Sequence, residues 1–211
     1  MGDWTVALRT GLAAVLLLLA ACGQPKHPPL PVGSPVLVVG DSISAGYGVA
    51  PEEAWPAQLA AATGWQVINA GVNGDTTADA LARLPELLER HTPRLVLVEI
   101  GGNDMLRRIP ESEIAANLDR MLDQIAERGA QPVLIGIPRP SVLGAAFARL
   151  SPAEFYDETA KRKRAPLIGE VASEVLSAAD LKLDPLHPNA AGHARLAEAV
   201  RAELERFGFL R

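Results

Sequence analysis

One cysteine in 211 residues leaves this chain neither an intramolecular disulfide framework nor a zinc site built on several cysteines. Aromatic residues make up only 4%, so leucine, valine, isoleucine and alanine must build the core. Positive charge is also short. Lys and Arg number 20 against 25 Asp and Glu, a formal net charge of −5 that lacks the basic face of a nucleic-acid binder. The N-terminal apolar run, Gly11 to Ala21, is too short to cross a bilayer, which takes about 20 residues. No internal repeat is visible. What is present, 48% hydrophobic and 21% charged residues, is the composition of one ordinary globular domain.

Arg9 precedes the apolar run and the sole cysteine, Cys22, follows it. This pattern fits the hydrophobic region of a secretory signal peptide, although Asp3 is unusual in a positively charged leader. Leu19-Ala20-Ala21-Cys22 resembles the lipobox of bacterial lipoproteins, in which the thiol is acylated and the chain is cut before it. The resemblance implies a signal peptide over 1–21, a lipidated Cys22 and membrane attachment. Gly23, where inner-membrane lipoproteins often carry Asp, points to the outer membrane on its periplasmic side. The plainer alternatives are a simple secretory peptide or an uncleaved anchor. Pro25, Pro28, Pro29, Pro31 and Pro35 then mark 22–35 as an extended tether, and the domain proper is expected over 36–211.

Strands and helices alternate from there. Val36–Val39, Val67–Ile68, Leu95–Ile100 and Pro132–Ile137 read as buried strands. Leu81, Leu84, Leu87 and Leu88 mark one helix; Ile114, Leu118, Met121, Leu122 and Ile125 mark another, with Gly129 as its stop; Ala190 to Phe207 closes the chain. Repeated strand–helix units predict a parallel sheet covered on both faces. Polar, glycine-bearing loops follow the first three strands: Gly40-Asp41-Ser42-Ile43-Ser44, Gly71-Val72-Asn73-Gly74-Asp75-Thr76 and Gly101-Gly102-Asn103-Asp104. In an open α/β sheet ligands bind at those strand ends. A fourth segment, Asp184-Pro185-Leu186-His187-Pro188-Asn189, sets a carboxylate and an imidazole three residues apart before the last helix.

Acyl transfer needs these residue types. A serine hydroxyl becomes a useful nucleophile when an imidazole removes its proton. A carboxylate must hold the imidazole in the right tautomer, and donors must face the developing oxyanion. Ser42 is the candidate nucleophile, His187 the base and later the acid, and Asp184 its orienting partner. The order Ser, Asp, His is that of α/β-hydrolases, but the G-x-S-x-G elbow is absent around Ser42, which points to a different scaffold.

Those four blocks, the second running from Asn69 through Thr76, resemble in that order the SGNH (GDSL) hydrolase superfamily, and within it the bacterial thioesterase I/lysophospholipase/arylesterase group. The resemblance implies a flavodoxin-like three-layer α/β/α sandwich with a parallel sheet of order 2-1-3-4-5. It also implies an oxyanion hole formed by the N–H groups of Ser42 and Gly74 and the side-chain amide of Asn103. The expected enzyme hydrolyses acyl, aryl or lysophospholipid esters, with thioesters also within reach, through an acyl-enzyme on Ser42. It needs no metal or organic cofactor and works as a monomer. The group's Asn-Tyr-Gly stretch after strand four is replaced here by Pro138-Arg139-Pro140-Ser141-Val142-Leu143-Gly144, so chain-length preference does not carry over.

Other polar residues have simpler readings. Asp41 is expected to shape the turn beside Ser42, Asp75 with Thr76 and Thr77 to cap a helix, and Asp104 to brace Asn103 or its loop. His27 lies in the tether, and His91 ends a helix. His193 with His187 would lack a third metal ligand. Lys161-Arg162-Lys163-Arg164 is a solvated helix face, or in a tethered protein a patch attractive to anionic headgroups. Two rival functions stand beside the esterase: a carbohydrate or peptidoglycan O-acetylesterase, and a non-catalytic envelope lipoprotein.

Overall fold

The structure is a computed structural model that describes residues 27–139 and 150–211. The signal-peptide and lipidation readings, including Cys22, and the stretch 140–144 after strand four lie outside the described residues.

Five parallel strands form one sheet in the order β2-β1-β3-β4-β5: β1 Pro35–Gly40, β2 Gln66–Gly71, β3 Leu95–Glu99, β4 Gln131–Ile135 and β5 Leu167–Ile168. Side chains alternate across a strand, so each strand feeds two cores. Val36, Val38, Leu95, Leu97, Val133 and Ile135 face one side. There they meet α2 (Trp55–Thr63), α7 (Val171–Ser177) and α8 (Ala190–Phe207). Leu37, Val39, Val96, Val98 and Leu134 face the other, against α3 (Thr77–His91), α5 (Glu111–Glu127) and α6 (Glu154–Lys163). This is the expected three-layer sandwich, with four of its five strands read from apolar runs. The fifth has only two residues, too few to stand out from an apolar helix fragment.

Two short helices complete the frame, α1 (Ser42–Ala45) after β1 and α4 (Gly102–Leu106) after β3. The order of strands reverses about β1, whose neighbours are β2 and β3. Gly40 is in register with Gly71 on one side and Glu99 on the other, so the three glycine-bearing loops emerge together. Gly71 has to be glycine there. A Cβ on it would lie 2.4 Å from the Ala45 nitrogen, and α1 could not sit down on the end of β2.

The proline-rich segment is not free of the body over its second half. The His27 ring stacks on Phe209 at 4.4 Å, Leu30 N donates to the Phe209 carbonyl (2.9 Å), and Gly33 N donates to the Gly64 carbonyl (2.8 Å). Prolines keep the backbone extended, but Leu30 still packs on the core face that holds Phe209. Strand β1 accordingly begins at Pro35, whose carbonyl accepts from Arg94 N. The basic run also differs from its membrane-facing reading. Lys161, Arg162 and Lys163 pair with Asp157, Asp119 and Asp123, and Arg164 is the left-handed cap of α6. Three of its four charges are balanced within the protein.

Candidate active site

Asp41 follows β1 and caps α1, its Oδ1 accepting from Ile43 N at 3.1 Å. That cap turns the chain sharply and presents Ser42 at the first position of α1. The loop before α8 brings up the partners. Asn189 caps α8 by accepting from Gly192 N (3.0 Å), and Leu183 N donates to the His187 carbonyl (2.9 Å), closing a tight loop. The Ser42 hydroxyl lies 3.0 Å from His187 Nε2, across 145 residues of chain. His187 Nδ1 lies 2.8 Å from Asp184 Oδ2, and Asp184 Oδ1 also accepts from the N–H groups of Leu186 (2.8 Å) and His187 (2.9 Å). The imidazole proton therefore belongs on Nδ1, facing the carboxylate, and Nε2 is free to accept from Ser42. Burial works to raise the Asp184 carboxyl, but the bonds from His187 and Leu186 outweigh it and hold it below the usual range.

Gly74 and Asn103 reach the same cleft as Ser42 and His187. Among the described residues, the backbone N–H groups of Ser42 and Gly74 engage no acceptor. Arg107 holds the Gly74 carbonyl at 2.8 Å, fixing the peptide that follows it. Asn103 Nδ2 donates to the Asp75 carbonyl at 2.9 Å and to Asp41 Oδ2 at 3.3 Å. Serving an oxyanion requires it to share the longer of these bonds, the one to Asp41, which meanwhile holds the amide in place. Catalytic hydrogen bonds commonly tighten only once the substrate is bound.

The supporting acids have distinct tasks. Asp104 does not touch Asn103. It accepts from Thr77 N (2.9 Å) and Thr77 Oγ1 (2.6 Å) and so ties the β3 loop to the start of α3. Asp75 pairs with Arg83, which also reaches the Gly40 carbonyl, while Thr76 caps α3 in a reciprocal pair with Asp79. Burial pushes the Asp41 carboxyl up to about 6. The Ile43 N–H and His187 lower it, whereas the charges of Asp104 and Asp75 raise it. Glu99, fully buried at the end of β3, is pushed well above the carboxylate range by burial and then by Asp41; Ser44 Oγ bonds its Oε2. His193 is buried with Nδ1 accepting from Trp55 N (3.3 Å), and burial lowers it to about 4. It serves as a neutral core acceptor, whereas His187 faces Ser42.

Several residues escaped the sequence reading. Tyr156 is fully buried and donates to the Ile100 carbonyl (2.9 Å), shoring up the loop that carries Asn103. Tyr47 leans on His187, with ring centroids 4.5 Å apart. Glu99 alone carried a signal, as a single acid inside an otherwise apolar strand. The cleft, about 700 Å³, is walled mainly by apolar side chains, among them Ile43, Leu106, Ile137, Leu150, Leu176 and Leu186.

The profile of the GDSL-like Lipase/Acylhydrolase family matches residues 38–195. An arylesterase of Vibrio mimicus is 37% identical over 175 residues, covering 80% of this chain and 87% of that protein. The thioesterase 1/protease 1/lysophospholipase L1 of Escherichia coli K12 is also 37% identical over 175 residues, covering 81% and 83%. The crystal structure of TesA superposes with a TM-score of 0.73 at 35% identity, covering 82% of this chain and 99% of that one.

Proposed function

The chain belongs to the GDSL-like lipase/acylhydrolase family and is a carboxylic ester hydrolase, and we propose that it works in two steps through an acyl-enzyme on Ser42. The observation that carries this reading is the continuous contact from Ser42 through His187 to Asp184 at the mouth of an apolar cleft. His187 Nε2 takes the hydroxyl proton as Ser42 Oγ attacks the ester carbonyl. Asp184 steadies the imidazolium that results. The oxyanion rests on the N–H groups of Ser42 and Gly74 and on Asn103 Nδ2. Collapse of the tetrahedral intermediate breaks the bond to the alcohol, which leaves with the proton from His187. Water, deprotonated by the same imidazole, then releases the acid.

The cleft supports an acyl ester over a sugar acetate, since its volume and apolar walls suit a hydrocarbon chain. Acyl esters, aryl esters and lysophospholipids are the proposed substrates. The protein is an exported lipoprotein held by a lipid on Cys22, facing the periplasm from the outer membrane. Two features of the fold suit that arrangement. The chain enters β1 at the N-terminal end of the parallel strands, opposite the strand ends that carry the site. The end of α8, where His27 stacks on Phe209, lies a helix of 18 residues, about 27 Å, from the end beside His187. The cleft thus opens away from residues 27–34.

Hydrolysis of p-nitrophenyl esters from C2 to C16 tests the reading, with wild type against Ser42→Ala. Activity peaking at medium or long chains and abolished by the substitution is expected. Activity confined to acetate would favour the sugar deacetylase, and a folded protein silent on every ester would favour a binding module.

A further inference from the structure

Tyr47 is one of two tyrosines in a chain poor in aromatics, and it is placed with care. Its N–H donates to the carbonyl of Ser42 itself (3.0 Å), and its ring lies 4.5 Å from the His187 ring at a tilt of 37°. Gly46 and Gly48 on either side have φ of +82° and +81°, a conformation other residues adopt at a cost. The loop around Asp184 presses on this turn: a Cβ at Gly48 would lie 2.2 Å from Leu183 Cδ2. Leu183, in the loop that carries both Asp184 and His187, thus packs against the turn. Even so, the Tyr47 side chain is not buried; the residue is 47% exposed and lines the cleft beside Pro185, Leu186 and His187.

The chemistry of the reaction says what meets that exposed ring. Of the two halves of an ester, only the leaving group is tied to Nε2, because its oxygen must receive the proton held there. That oxygen has to come within about 3 Å of the imidazole. The atoms beyond it then fall beside the tyrosine ring that adjoins the imidazole. A flat aromatic leaving group can stack there in the offset geometry aromatic pairs favour, whereas a short alkyl group covers little of the ring. Resting on the esterase reading above, we propose that Tyr47 determines leaving-group specificity, forming the platform on which planar, aromatic leaving groups of the ester stack.

The test compares phenyl butyrate with ethyl butyrate on the full-length protein, as wild type, Tyr47→Phe and Tyr47→Ala. Both esters give the same butyryl-enzyme, so leaving-group effects appear in kcat/KM and not in the deacylation rate. Tyr47→Phe should keep the wild-type ratio of phenyl to ethyl kcat/KM. Tyr47→Ala should lower that ratio by about 2- to 12-fold, the worth of one aromatic pair, with deacylation little changed. Parallel losses on both esters together with slower deacylation would show that the ring only steadies His187, and an unchanged ratio would show that it meets no leaving group; either result overturns the proposal. Wild-type protein inactive on both esters would instead overturn the esterase reading beneath it.

Discussion

Replacing Asp41 by asparagine should make the protein more stable at neutral pH and slower as an enzyme, because the carboxylate is kept at the site against its own preference for water. Burial raises it from the ordinary 3.8 to about 6. The folded state therefore binds its proton more tightly than the unfolded chain does, and between those two values stability falls as pH rises. About two pKa units amount to roughly 3 kcal/mol, absent below pH 4 and fully present above pH 6. Asparagine cannot ionise, so that pH-dependent loss disappears. It can still cap α1, but its amide sets a donor against Asn103 Nδ2 in place of the acceptor found there, which removes about 1–2 kcal/mol at every pH. The informative quantity is thus the change in the variant-minus-wild-type difference between pH 4 and pH 7.5. Urea unfolding should show it moving by about 3 kcal/mol in favour of the variant. In melting temperature that is about 6–12 °C for a domain of this size. At pH 7.5 kcat should fall, since Asn103 loses one of its two anchors. A difference that stays flat across the pH range would refute the raised carboxyl, and an unchanged kcat would refute the link to Asn103.

Asn103→Ala should lower kcat by about 10²–10³ with KM little altered, as expected for one oxyanion donor; a loss of less than threefold would remove Asn103 from that role. Gly71→Ala forces a Cβ to within 2.4 Å of the Ala45 nitrogen, so it should destabilise by at least 1–3 kcal/mol in urea and depress activity by displacing α1. Wild-type stability and turnover in that variant would mean that α1 does not depend on the close approach. Cys22→Ser should move the protein from the membrane fraction to the soluble fraction and abolish labelling by a palmitate analogue; unchanged fractionation and labelling would sink the lipoprotein reading.

Much of this was legible along the chain because its causes are local. Apolar runs over Val36–Val39 and Leu95–Ile100 had to be strands buried on both faces, and the leucine and isoleucine spacings in α3 and α5 fixed which side each helix buries. Ser42, Asp184 and His187 stood out because few arrangements other than acyl transfer call for those types in those loops. The Asp41 cap and the Thr76 cap were likewise readable from neighbours two or three residues away.

What the sequence could not settle is whatever depends on proximity between distant segments. Only the packing of α6 against α5 pairs Arg162 with Asp119 and Lys163 with Asp123, turning an apparent basic patch into a balanced face. Docking on Phe209 converts half of a proline-rich spacer into part of the body. The perturbed carboxyls of Asp41 and Glu99 arise from burial where β1 and β3 end side by side, since no local pattern encodes the dielectric around a group. Tyr47 meets His187 across 140 positions of chain only because the glycine-flanked turn and the loop before α8 are pressed together. Composition, periodicity and short-range capping thus determined the strands and helices, and the loop motifs marked the candidate reactive groups. Tertiary structure decided the surroundings of those groups and raised the carboxyls of Asp41 and Glu99, because electrostatics and desolvation act through space.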